Sequence, residues 1–206
     1  MFHIMSHVIA LGLVTYICWF AVPGTSLFSW HPTLMILGFG FFMLEAILIF
    51  SKNSNLFPNA TQAVKVRCHW ILQILATSCA VGGFLVIFIN KNRSNKPHFI
   101  SWHGILGAIT MFLTCIQTSM GTGLLYPKLP LFNTLKLVTL KRLHALSGAL
   151  FFILSCLVIF LSLYSNWFVR KAGLYTLSWW TCAVCIIMLA VFVNNQIAQV
   201  YLFKKK

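Results

Sequence analysis

Acidic residues are almost absent from this chain: Glu45 is the only Asp or Glu in 206 residues, against fifteen Lys and Arg. Charge of any sign is scarce, at 8% of residues where an ordinary globular domain carries about 25%. Together these shortages exclude a water-soluble enzyme and a disordered tail. They exclude a nucleic-acid-binding domain as well, because the fifteen cations form short clusters between apolar runs and no stripe. Long polar stretches are missing too, so no soluble domain fits between those runs, and neither an internal repeat nor a low-complexity segment is present. The seven cysteines fall within or at the ends of the apolar runs, which argues against a disulfide framework.

What the chain has in abundance is hydrophobicity, at 60% of residues. A helix needs about 20 apolar residues to cross the hydrocarbon core, and six runs qualify, at roughly 4–22, 31–50, 68–89, 99–123, 143–164 and 173–194. Breakers mark the connections at Pro23-Gly24, Pro58-Asn59, Lys96-Pro97 and Tyr126-Pro127. The first run is read as a span and not a signal peptide, since it lacks a basic leading region and Phe20-Ala21-Val22-Pro23 is a poor cleavage site. The expected architecture is a single all-α integral membrane domain over 1–206, with six transmembrane helices in the lipid bilayer and spans two to five as a central four-helix bundle.

Six spans put both termini on one side. That side collects Lys52, Lys65, Arg67, Lys128, Lys136, Lys141, Arg142 and Lys204 to Lys206, while Lys91, Arg93, Lys96, Arg170 and Lys171 lie on the other. The excess of short-loop cations predicts that both termini are cytoplasmic. The tail Phe203-Lys204-Lys205-Lys206 approximates a dilysine retrieval signal and favours an endomembrane, ER or vesicle, over the plasma membrane.

Four histidines fall one near an end of each of spans two to five. His31 and His103 open spans that run inward, so both belong near the outer face. His69 and His144 open spans that run outward, so both belong near the cytoplasmic face. Imidazole in a membrane interior is costly unless functional. Two neutral imidazoles at one depth on different helices can clamp one metal, and haem iron takes such an axial pair. Gly107 and Gly148 follow His103 and His144 by four residues, one turn deeper on the same face, and leave room for a flat macrocycle; Gly38 lies two turns from His31 on its face. No helix carries two deep histidines, which excludes a bundle with both ligands of each haem pair stacked on two helices.

Several other features receive lesser readings. His3 and His7 have the spacing of a metal pair but no accompanying carboxylate or cysteine, and read as an interfacial cap. Cys182 and Cys185 lie inside an apolar helix and read as packing. Glu45, an acid within a span, is a candidate proton-handling group with no visible partner. His98, five before His103 and hence off the haem face, reads as an interfacial residue. Asn194, Asn195 and Gln196 could satisfy helix-end groups.

Phe28-Ser29-Trp30-His31-Pro32, Arg67-Cys68-His69-Trp70, Ser101-Trp102-His103-Gly104 and Leu143-His144-Ala145-Leu146-Ser147-Gly148 resemble, in order and spacing, the cytochrome b561 family, over about 4–200 of the chain. The likeness is greatest to its short members without an extra domain. The resemblance implies an oxidoreductase that moves electrons across a membrane from cytosolic ascorbate, through two non-covalent haems b, to monodehydroascorbate or a ferric chelate outside. Carried over, His31 and His103 hold the outer haem and His69 and His144 the inner one. No protein residue needs to act as acid, base or nucleophile on the electron path. Lys65, Arg67, Lys141 and Arg142 are candidates for binding the anionic donor, at offsets that differ somewhat from those of the ascorbate-using members, and Lys91, Arg93, Lys96 and His98 for attracting an anionic acceptor. A homodimer is left open. Two rival readings are a haem-free, proton-coupled transporter and a non-catalytic haem-binding membrane subunit.

Overall fold

The computed structural model describes residues 2–52, 54–126 and 136–202, apart from the side chains of 2, 3, 201 and 202. Lys128, Lys204 to Lys206 and the His3 side chain lie outside that set. Every regular element among the described residues is helical. Helix α1 covers Phe2–Ala21, α2 Trp30–Leu48, α3 Gln62–Arg93, α4 Trp102–Leu125 and α5 Leu137–Ser162; a short α6, Asn166–Ala172, precedes α7, Leu177–Ile197. Six of them, all but α6, are long and apolar enough to cross a membrane, which makes this a multi-pass membrane protein.

Capping explains where the spans depart from the hydropathy reading. Thr61 accepts a hydrogen bond from the Val64 amide at 3.4 Å and starts α3 six residues early, so Lys65 and Arg67 ride on its first turns. Helix α5 also begins six residues early and carries Lys141 and Arg142 the same way. Charge mimics a loop in the sequence, yet a helix that has left the hydrocarbon has no reason to unwind. The unforeseen α6 is fixed by Ser165, which caps the Phe168 amide at 3.2 Å, and ends at Gly173, whose φ of +77° suits glycine.

Helix α2 is α-helical over Trp30–Met35, widens into π-helical turns over Ile36–Met43 and closes as α-helix over Leu44–Leu48. Such i→i+5 turns are rare and concentrate at functional sites. Side-chain packing is densest where α1 and α7 meet α2 and α5, around Leu13, Phe39, Leu44, Phe152, Trp179, Ile186 and Leu189. Trp179 donates its indole N–H to the Leu163 carbonyl at 3.1 Å. By contrast α3 and α4 bury little besides Ala76, Ala80, Thr110, Thr114 and two glycines. Thin side chains there keep open the space between α2, α3, α4 and α5.

Candidate functional site

Four histidine rings meet in two pairs, as their helix directions predict. His31 on α2 faces His103 on α4, with ring centroids 6.2 Å apart and planes at 82°. At the other end of the bundle His69 on α3 faces His144 on α5, again at 6.2 Å, with planes at 75°. Two imidazoles bound to opposite sides of one metal through bonds of about 2 Å have centroids a little over roughly 6 Å apart. Both pairs have that spacing.

Hydrogen bonds decide which ring nitrogen is free. His31 donates from Nδ1 to the Gly83 carbonyl at 3.0 Å, His69 to the Ala46 carbonyl at 2.8 Å and His103 to the Val158 carbonyl at 3.0 Å. A carbonyl can only accept, so each of these neutral rings keeps its proton on Nδ1 and turns an unprotonated Nε2 away from it. That is the tautomer a metal requires, oriented in the usual way by a partner behind the ligand. Ala46 lies in the last turn of α2, where carbonyls have no helical partner, so its lone pairs are available.

His144 is held differently. The Gln117 amide nitrogen lies 3.1 Å from its Nδ1 and donates to the His144 main-chain carbonyl at 2.7 Å, while Ser147 donates to the Gln117 oxygen at 2.9 Å. Metal ligation through Nε2 needs the oxygen end of that amide at Nδ1, a half-turn about its last bond. Gln117 escaped the sequence reading; an uncharged amide in the middle of a span is the signal that marks it. Partners behind metal ligands are typically worth 10–100-fold in affinity or activity. Gln117→Leu is therefore expected to weaken metal-group retention at the His69–His144 end by about that factor and leave the other end unchanged, as cofactor-release kinetics would report.

The bonds follow a reciprocal plan. Helices α2 and α3 each hold the other's histidine, and so do α4 and α5. The histidine pairs themselves join α2 to α4 and α3 to α5. On α3, α4 and α5 the ligand and the supporting residue are fourteen apart (His69 and Gly83, His103 and Gln117, His144 and Val158). On α2 the interval from His31 to Ala46 is fifteen, and the wide turns at Ile36–Met43 take up the extra residue.

A cavity of about 290 Å³ opens beside His31 and His103, lined by Phe28, Gly104, Gly107 and Trp167. Gly107 lines this cavity, and a Cβ there would make an ordinary contact of 3.5 Å with the Val158 side chain. The other two glycines serve differently from expectation. A Cβ on Gly38 would stand 2.9 Å from the Ala76 carbonyl oxygen and 3.1 Å from the Cys79 Cβ, so Gly38 lets α2 touch α3. A Cβ on Gly148 would stand 3.0 Å from the Gln117 amide, so its space belongs to that side chain; Gly121 instead faces the edge of the His144 ring. His98 also departs from its reading. The loop before α4 is not helical, so helical spacing does not apply, and His98 lines the same cavity beside Lys91, stacked on Phe88 at 4.3 Å with Nε2 donating to the Asn92 side-chain oxygen at 2.7 Å.

Among the described residues no cluster of three His, Cys, Asp or Glu forms a metal site. A metal between either pair therefore takes its remaining ligands from elsewhere than a protein cluster, as haem iron takes four from the porphyrin. The donor set fits haem.

Comparison with known proteins agrees with this arrangement. Residues 30–169 match the family model described as eukaryotic cytochrome b561. The chain belongs to the cytochrome b561 family. Within the family it is 38% identical to mouse "Transmembrane reductase CYB561D2" over 201 residues, 98% of this chain and 89% of that protein. It is 36% identical to human "Probable transmembrane reductase CYB561D1" over 203 residues, 98% of this chain and 87% of that one. Mouse "Lysosomal membrane ascorbate-dependent ferrireductase CYB561A3" is 31% identical over 136 residues, 63% of this chain and 52% of the relative. The cytochrome b561 family binds haem b and transfers electrons across membranes, and this member is a transmembrane oxidoreductase.

Of the cations at the His69–His144 end, Lys65 donates to the Pro58 carbonyl at 3.3 Å, while Arg67, Lys141 and Arg142 are exposed. At the opposite end Lys91 donates to the Pro97 carbonyl at 2.9 Å.

Proposed function

We propose that the chain carries electrons from ascorbate at the His69–His144 end to monodehydroascorbate or ferric iron at the His31–His103 end, with one haem b held by each histidine pair. The observation that carries this reading is the pairing itself: two matched rings across helices, 6.2 Å apart, repeated at both ends of one bundle. Haem, once bound, supplies a reversible one-electron carrier. The protein contributes ligands in a fixed tautomer, a backbone acceptor or amide behind each, and apolar walls that keep water away. Arg67, Lys141 and Arg142, with Lys65 beside them, form a positive rim suited to an enediol anion such as ascorbate, whose approach it would focus. The ascorbate-dependent name of the mouse lysosomal relative supports the choice of donor. Both termini are then cytoplasmic, with the donor, and an endomembrane fits the lysine-rich tail.

The test is spectroscopic. Purified protein is expected to carry about two non-covalent haems b per chain, both reduced by ascorbate in its oxidised-to-reduced spectrum. In vesicles loaded with ascorbate, an outside ferric chelate should then be reduced. A protein with one haem or none refutes the paired sites. Haem that ascorbate cannot reduce refutes the donor and favours a non-catalytic haem-binding subunit.

A further inference from the structure

Glu45 does have a partner, and it is the residue read from sequence as an interfacial cap. His7 of α1 places Nδ1 at 2.7 and 2.8 Å from the two Glu45 oxygens, and its Nε2 lies 2.7 Å from the Ser54 carbonyl. Nε2 must donate to that carbonyl. With a second proton on Nδ1, His7 donates from both ring nitrogens and Glu45 is a carboxylate able to take up a further proton. The contact is sheltered, with the two side chains only 11% and 13% exposed. This polar assembly sits in a membrane segment, where ionisable groups are costly and mark ion or proton paths.

Its location gives it a purpose. Glu45 precedes Ala46, whose carbonyl accepts the Nδ1–H of His69. The chain's only acid is thus one peptide unit from the support of a metal-site histidine, at the end assigned to electron entry. We propose that Glu45, held by His7, is the proton acceptor coupled to electron entry at the His69–His144 end, an inference that rests on the haem-binding reading above. An enediol monoanion that gives up one electron also loses its remaining hydroxyl proton and leaves as a radical anion. The electron goes to the metal group. The donor O–H bond breaks and, through water, an O–H bond forms on a Glu45 carboxyl oxygen. The added negative charge and the added proton then offset one another in a medium of low dielectric, where neither is stable alone. When the electron moves on, Glu45 returns its proton to water at the same end. His7, its two ring protons directed to the Ser54 carbonyl and to Glu45, keeps the carboxyl group in place throughout.

Other ionisable groups share this end. Helix α3 carries Lys65, Arg67, Cys68 and His69, α5 carries Lys141, Arg142 and His144, and the segment after α2 carries Lys52; α7 presents Asn194, Asn195 and Gln196, which do not titrate. Gln196 donates to the Ile47 carbonyl at 2.8 Å, which closes the same turn of α2. Of the groups at this end, Glu45 with His7 forms the sheltered pair joined through Ala46 to the support of His69.

The experiment is a redox titration of the haem-loaded protein with electrochemical mediators, needing no ascorbate, from acid to mildly alkaline pH. One proton taken up per electron lowers the midpoint potential by about 59 mV for each tenfold fall in proton concentration. The wild type is expected to approach that slope at the inner haem over part of the range and to be flatter at the outer haem. Glu45→Gln should flatten the inner slope by at least half, while Glu45→Asp should restore much of it. An inner slope in Glu45→Gln equal to the wild type's overturns the proposal and assigns the proton to other groups, such as the haem's own carboxylates. Should Glu45→Gln fail to fold, the wild type answers alone. With carbon-13 glutamate, Glu45 is the only labelled Asp or Glu side-chain carboxyl in the chain. A reduced-minus-oxidised infrared spectrum must then show a labelled carboxylic acid band, and its absence overturns the proposal. A flat slope in protein that loads two haems overturns the proton site only; protein that loads no haem overturns both readings.

Discussion

Replacing His69 with alanine is expected to lower the haem content from about two per chain to about one and to abolish reduction by ascorbate. His69 and His144 approach one point from different helices, and no third His, Cys, Asp or Glu among the described residues joins them in a metal cluster. Loss of either ring removes half of the axial support and also empties the hydrogen bond behind it. The Ala46 carbonyl loses the His69 N–H, and in His144→Ala the Gln117 amide loses its ring contact. His31→Ala should act at the opposite end: the inner haem remains and still accepts an electron, but delivery to an outer acceptor stops. Haem quantitation, stopped-flow ascorbate reduction and reduction of an outer ferric chelate separate His31→Ala from the two inner-end variants. Full haem content in His69→Ala, or normal delivery in His31→Ala, contradicts the assignment.

The second large effect is expected at Gly38, far from any reacting atom. A valine there drives its branched carbons into the Ala76 carbonyl, a backbone group on α3 that cannot rotate away. Overpacking of this kind typically costs about 1–3 kcal/mol, and more where the obstacle is backbone. At about 2–4 °C per kcal/mol for a chain of this size, the thermal midpoint should fall by several degrees. Separation of α2 from α3 also stretches both hydrogen bonds exchanged between them, His31 to Gly83 and His69 to Ala46, so haem should be lost from both ends together. Gly12→Val is the control, because a Cβ on Gly12 meets nothing within 4 Å. Equal stability and equal haem content in the two variants would contradict the close-approach account.

Much of this was readable from the chain. Hydropathy marks the six spans because each must be apolar over the same thickness, and the all-α architecture follows from it. Helix direction sorts the histidines because a membrane imposes a depth scale on sequence position. What escaped had non-local causes. Gly38, Gly107 and Gly148 look alike in sequence, each a fixed number of residues from a histidine, yet one meets backbone, one lines a cavity and one accommodates Gln117. Their roles depend on which neighbour lies opposite, and no pattern within one helix specifies that. His7 and Glu45 are 38 residues apart and meet only because α1 packs beside α2. The fifteen-residue interval of α2 was visible, but its meaning required knowing that Ala46 is the supporting group.

That repeated interval also sets how strongly the bundle feels an electric field. Fourteen residues of α-helix span about 21 Å, roughly seven-tenths of a hydrocarbon core of about 30 Å. On the proposed reading of one haem at each histidine pair, an electron passing between them crosses about seven-tenths of the membrane potential without leaving the protein. At about 2.3 kcal/mol per charge for each 100 mV, the passage is worth about 1.6 kcal/mol, or about fifteenfold in the balance between the two ends. In the orientation proposed above, polarisation of the membrane, inside negative, pushes electrons toward His31 and His103, and depolarisation lets them settle back toward His69 and His144. In that reading the helix spacing makes the protein a voltage divider, whose outward delivery rises and falls with the charge state of the membrane around it.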